Sequence, residues 1–116
     1  MKILPPNTMI GLVSALLLGA AAARAETGWS LSADTWAQPR DGRAVAQMPP
    51  LPEVVAAWSR APEQRLVLRH PGGEEGLLWA HELGSWLTAL GIPTQHQELV
   101  PGSARADRIG IELISR

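Results

Sequence analysis

The chain has 116 residues and a formal net charge of −1, from ten basic and eleven acidic side chains, and it contains no cysteine. This balance excludes a strongly basic nucleic-acid surface and a polybasic membrane patch, and the absence of cysteine excludes disulfides and a cysteine-linked lipid anchor. Five tryptophans are the only aromatic residues, so we expect at least two of them to be buried.

Residues 1–25 have the pattern of a secretory signal peptide. Lys2 supplies a positive charge, residues 9–23 carry none, and Ala23 and Ala25 form the small-x-small pattern that precedes a cleavage site. Cleavage would leave residues 26–116 as one small α+β domain in the periplasm. The apolar run is short for a membrane span of about 20 residues, so an inner-membrane anchor, formed only if the segment stays uncleaved, is the alternative.

The first predicted strand contains Trp29, Leu31 and Ala33, which alternate with polar residues. Residues 39–42 then favour a turn, because Asp-Gly accepts positive φ and proline cannot donate to a ladder. Two interpretations of Trp29 and Trp36 stay open. They either pack on the sheet or form an exposed interaction patch.

A short helix is predicted over residues 53–60, after a proline-rich segment at residues 48–52. Pro52 suits the first turn of a helix, where its missing N–H leaves no bond unmade. A helical stripe is formed by Leu51, Val54, Val55 and Trp58. We interpret the proline-rich segment as a stiff connector, and a polyproline ligand for an SH3-like partner is the alternative.

The next strand is predicted over residues 64–70, with Leu66 and Leu68 on one face of a half-exposed sheet. On the other face Arg65 and Arg69 either face solvent, which we favour, or bind an acidic ligand. His70 ends the strand, and it either hydrogen-bonds the following turn or faces a ligand.

A helix follows the turn, because Glu74 and Glu75 place negative charge where a helix N-terminus is positive. Its predicted apolar stripe consists of Trp79, Leu83, Trp86, Leu87 and Leu90. Gly91 suits the left-handed position after the helix, and Pro93 prevents continuation.

Two final strands are predicted over residues 97–100 and 108–114, the second with alternating Ile109, Ile111 and Leu113. The resulting order is β-α-β-α-β-β. It predicts a small two-layer α+β domain with helices on one face of a mixed sheet.

This order and several positions resemble the OmpA-like domain of envelope proteins, whose members bind peptidoglycan. Residues 66–70 resemble the family's strand and its following turn. The helix register matches at Ala80, Leu83, Leu87, Gly91 and Ile92. The resemblance implies a ligand-binding turn and helix start, which here consist of His70, Gly72, Gly73, Glu74 and Trp79.

The resemblance also implies two charged residues that this chain lacks. The family holds the ammonium and carboxylate groups of diaminopimelate with an aspartate in the turn and an arginine on the helix. Here Gly72 or Gly73 takes the place of the aspartate, and Trp79 takes the place of the arginine. Glycine has no side chain and tryptophan carries no charge, so neither can form the ion pairs that the family makes with these groups. We therefore expect a degenerate domain with lost or weak peptidoglycan binding.

Neither a cofactor nor a metal is expected, and we predict that the chain is not an enzyme. The three histidines include no pair at i and i+4 that would start a metal site, and no serine stands in a nucleophile elbow. We expect an interaction or assembly module with an envelope protein as its partner. The alternatives are an accessory subunit of an envelope secretion or polysaccharide machine, and a small secreted metal-dependent hydrolase using His70 with Glu74 or Glu75.

Overall fold

The computed structural model describes residues 28–38 and 40–115, so the expected signal segment, residues 1–25, lies outside the described residues. Within the described part, four strands form a mixed sheet and four α-helices are present. The strands are β1 (Gly28–Ser32), β2 (Arg65–His70), β3 (Gln97–Pro101) and β4 (Arg108–Ile114). The helices are α1 (Ala33–Trp36), α2 (Gly42–Gln47), α3 (Leu51–Arg60) and α4 (Gly73–Ala89), with a 3-10 turn at Thr94–His96.

The sheet has the strand order β1-β4-β2-β3, which makes β2 an interior strand. Strands β2 and β3 are parallel, because α4 crosses between them, whereas β4 is antiparallel to both of its neighbours. In this register Leu68 stands opposite Leu99 on one side and Ile111 on the other. The apolar residues of successive strands therefore form continuous rows.

One face of the sheet is covered by the helices, and we call it the covered face. The central side chains of this face are at most 1% exposed and belong to one core with the helices. They are Leu31, Leu66, Leu68, Ile109 and Ile111. The opposite, open face carries two ion pairs between strands, Arg65 with Glu98 at 3.6 Å and Arg69 with Glu112 at 2.7 Å. The predicted α+β class, with helices on one face of a mixed sheet, is confirmed.

Two short helices occupy the region where only a strand and a turn were predicted. Ala33 begins α1 instead of continuing the strand, because the Ser32 hydroxyl accepts a hydrogen bond from the Thr35 amide at 3.1 Å. The Asp41 carboxylate likewise accepts from the Ala44 amide at 2.8 Å and starts α2 where the turn was expected. Serine and aspartate at these positions satisfy helix N–H groups that would otherwise lack a partner.

The helix predicted after the proline-rich segment is confirmed as α3, with Pro52 in its first turn. Trp58 is 8% exposed, and its indole N–H donates to the carbonyl of Gln64 at 3.2 Å. Trp36 is 7% exposed. The expectation that at least two tryptophans are buried is therefore confirmed.

Helix α4 buries a face that differs from the predicted stripe. Its buried residues are Gly76, Ala80, Leu83, Gly84 and Leu87. Trp79, Trp86 and Leu90 are only partly buried at the edges of this face. Gly76, Ala80 and Gly84 let the helix approach its neighbours closely between the buried leucines, and the two tryptophans lie beside this contact. Gly91 has φ +117° and ends the helix as predicted.

Candidate functional site

His70 lies at the end of β2 and is only 4% exposed. Its Nδ1–H donates to the carbonyl oxygen of Pro71 at 2.8 Å, since a carbonyl can only accept. Its own backbone carbonyl accepts from the amides of Gly102 and Ser103 at 2.9 and 3.1 Å. These bonds tie the turn after β2 to the loop after β3, so the imidazole has a structural partner.

The two glycines after this turn form the start of α4 without any side-chain cap. Gly72 is in extended conformation, with φ −68° and ψ 166°, and Gly73 has φ +86°. The side chains of Glu74 and Glu75 follow, and both residues are exposed. The turn therefore presents glycine at the position where the family resemblance implies an aspartate.

Trp79 lines a groove between α1 and α4 that has a volume of about 400 Å³. We call it the α1–α4 groove. Its other lining residues are Ala33, Trp36, Ala37, Arg40, Glu75, Leu78 and Glu82. Of the five ligand positions implied by the resemblance, only Trp79 lines this groove. The structure brings it together with Trp36, one of the two tryptophans considered for an interaction patch.

Arg40 forms one wall of the groove and connects its two sides. Its guanidinium lies 4.4 Å from the centroid of the Trp36 ring, and it donates a hydrogen bond to the Trp36 carbonyl. A second nitrogen lies 3.7 Å from the carboxylate of Glu82 on α4. A cation over an indole face is attracted by the ring quadrupole, so Arg40 is engaged on both sides of the groove.

The other wall is one face of α4. Glu75, Leu78, Trp79 and Glu82 stand at i, i+3, i+4 and i+7 and so share that face. Leu78 is 60% exposed, more than any other large apolar residue in the described ranges. The indole N–H of Trp79 is buried and has no hydrogen-bond partner among the described residues. The wall thus combines apolar surface with acidic ends.

Trp29 and Trp36 do not form an exposed patch together. Trp29 stands opposite Ile111 in the sheet register and packs, partly buried, against the core. Trp36 belongs to the core itself, although it also lines the groove. The packing interpretation therefore describes both residues.

Sequence reasoning missed Arg40, Leu78 and Glu82 as groove residues. Arg40 lies in a stretch that was interpreted as a turn, and nothing in its sequence indicates a contact with α4. Leu78 lies outside the apolar stripe of its helix, but so does Leu77, which does not line the groove, so this position alone gave no specific signal.

A second cavity of about 180 Å³ lies between α4 and β3. The Gln97 side chain reaches from β3 to this region, and the two N–H groups of its Nε2 are shared among three acceptors at 3.0–3.1 Å, the carbonyls of Gly84 and Ile92 and the Thr88 hydroxyl. These bonds join the end of α4 to β3. The polar groups at this cavity are therefore used in hydrogen bonds that hold the domain together.

Within residues 28–38 and 40–115, no group of three or more His, Asp or Glu side chains could hold a metal ion. No described helix is long and apolar enough to cross a membrane. Comparison with protein-family models and with curated protein sequences gives no match.

Proposed function

We propose that this chain is a non-catalytic domain of the cell envelope, exported to the periplasm, that binds another envelope protein through the α1–α4 groove. The observation that carries this proposal is the pairing of apolar and charged groups in the groove. Leu78, 60% exposed, and Trp79 form its apolar part, and Glu75, Glu82 and Arg40 surround them. Protein interfaces have this composition, with aromatic and apolar residues inside a charged rim.

Three residues at the turn and on α4, Gly72, Gly73 and Trp79, support the further proposal that this is a degenerate OmpA-like domain with lost or weak peptidoglycan binding. Gly72 and Gly73 offer no carboxylate to an ammonium group, and the indole of Trp79 lines the α1–α4 groove instead of extending a cation toward the turn. A buried ion of a ligand without these partners would cost several kcal/mol of desolvation. A protein segment needs no such charged pair.

Affinity capture tests this function, using protein that is expressed from the full-length sequence with its export signal and then purified from the periplasm. We expect the wild type and Leu77→Asp to retain the same envelope protein and Leu78→Asp to lose it. The pair is well matched because the two leucines are neighbours, 44% and 60% exposed, and only Leu78 lines the groove. Equal capture by both variants would overturn the proposal.

Cosedimentation with intact sacculi tests the wall-binding part. We expect little of the purified protein in the pellet, and no change on adding free diaminopimelate. Strong cosedimentation abolished by diaminopimelate would contradict the degenerate site, because only a specific ligand pocket responds to that competitor.

A further inference from the structure

We propose that the α1–α4 groove selects a protein segment that presents an apolar side chain next to lysine or arginine. The apolar side chain would lie against Leu78 and Trp79, and the cation would pair with Glu75. This inference rests on the proposed function, and it specifies the chemistry of the partner that the groove binds.

The charge of the groove favours a cation near Glu75. Arg40 is the basic group in the groove, and it is already engaged with the Trp36 ring at 4.4 Å and with Glu82 at 3.7 Å. Glu75 forms no ion pair with any described residue. Its side chain is therefore available to a partner.

The start of α4 partly offsets this negative charge. A helix N-terminus carries about +0.5 elementary charge. Two full carboxylates, those of Glu74 and Glu75, stand in the first turn of α4, and Asp34 stands in the first turn of α1. The negative charge exceeds the dipole, so the surface beside Leu78 repels anions and attracts cations.

The indole N–H of Trp79 favours a peptide over an acyl chain as the ligand of the groove. It is buried without an acceptor among the described residues, and an unmade hydrogen bond of this kind costs about 1–3 kcal/mol. A backbone carbonyl in the groove would accept this bond if the ring turned its N–H toward the groove. An acyl chain offers no acceptor, and an anionic lipid headgroup would meet the glutamates.

The size of the groove also fits a short segment. Its volume of about 400 Å³ is at the small end of the range, about 300–1,000 Å³, in which proteins hold compact ligands. One apolar side chain with its neighbouring backbone fits such a space. We therefore expect recognition of a few consecutive residues.

A pair of peptides tests the inference, with Lys-Leu-Lys or Glu-Leu-Glu at the centre of otherwise identical Gly-Ser sequences. Binding to the full-length wild-type chain is measured by fluorescence anisotropy at low salt. We expect the Lys-Leu-Lys peptide to bind at least about tenfold more tightly, equal to about 1.4 kcal/mol. Equal binding, undetectable binding of both, or preference for Glu-Leu-Glu would overturn the inference.

Matched charge reversals locate the effect. Glu74 and Glu75 both stand in the first turn of α4, but only Glu75 lines the groove. Glu75→Arg should remove the preference for Lys-Leu-Lys, and Glu74→Arg should retain most of it. Equal losses in both variants would overturn a specific role of Glu75.

The outcome separates this inference from the proposed function. If capture of the envelope protein depends on Leu78 but the two peptides bind equally, the groove binds a partner of other chemistry and only this inference fails. If Leu78→Asp leaves the capture unchanged, the proposed function fails.

Discussion

Gly76 lies so close to Pro71 that a Cβ at residue 76 would be 1.9 Å from the Pro71 carbonyl oxygen. The same carbonyl accepts the hydrogen bond from His70. The first turn of α4 is therefore packed directly on the turn that follows β2, and this contact fixes how α4 lies on the sheet.

We predict that Gly76→Ala lowers the free energy of unfolding by about 3 kcal/mol, because a backbone atom cannot move aside cheaply. Urea unfolding measures this change in the free energy of unfolding. Gly42→Ala is the control, since a Cβ there meets nothing within 4 Å, and we expect no loss and a gain of up to about 0.5 kcal/mol. Similar midpoints for the two variants would show that the close contact is wrong.

Gly72 and Gly73 respond oppositely to aspartate. At Gly72 the extended backbone suits an N-cap and no side chain caps α4, so Gly72→Asp should stabilise the chain by about 0.5 kcal/mol. Gly73→Asp should destabilise it by about 1 kcal/mol, because φ is +86°. Thermal unfolding of both variants compares them, and a more stable Gly73→Asp would refute the assigned backbone conformation.

The ion pair between Arg69 and Glu112 contributes little to stability. Both side chains are 41% exposed, and their atoms lie 2.7 Å apart. A double-mutant cycle with Arg69→Met and Glu112→Gln should give a coupling energy of about 0.5–1 kcal/mol, which falls as salt is added. A salt-independent coupling above about 2 kcal/mol would mean that the open face is shielded from water in solution.

Gln97 joins β3 to the end of α4, so its amide is expected to matter more than an ordinary polar side chain. Gln97→Glu replaces the donating Nε2 with an oxygen facing the carbonyls of Gly84 and Ile92. At neutral pH we expect a loss of about 1–3 kcal/mol, measured by urea unfolding. Gln95→Glu is the control on the preceding 3-10 turn, where the residue is exposed, and a comparable loss there would contradict the assigned role of Gln97.

Strand and helix order could be predicted because the signals are local. Strand β2 follows a run of β-forming residues that ends at Pro71, and Gly91 ends its helix with a positive φ that the sequence already indicated. Helices α1 and α2 were missed because each is shorter than two turns and depends on a cap, Ser32 or Asp41, whose side-chain bond no hydrophobic period indicates.

The groove could be predicted only in part. Trp79 was recognised because the resemblance to the OmpA-like domain implies an arginine at its position, and Trp36 because it lies near the expected N-terminus of the mature chain. Their meeting depends on the packing of α1 beside α4, and on Arg40, which contacts both. Such contacts between distant segments have no local sequence signal.

The indole N–H signal of Trp79, followed by NMR as the captured envelope protein is added, tests the central claim most directly. The five tryptophans give five such signals at most, and Trp58, bonded to the Gln64 carbonyl at 3.2 Å, is the internal reference. We predict that the Trp79 signal moves downfield as it gains an acceptor while the Trp58 signal stays in place. A bound complex in which the Trp79 signal does not move would contradict binding in the α1–α4 groove.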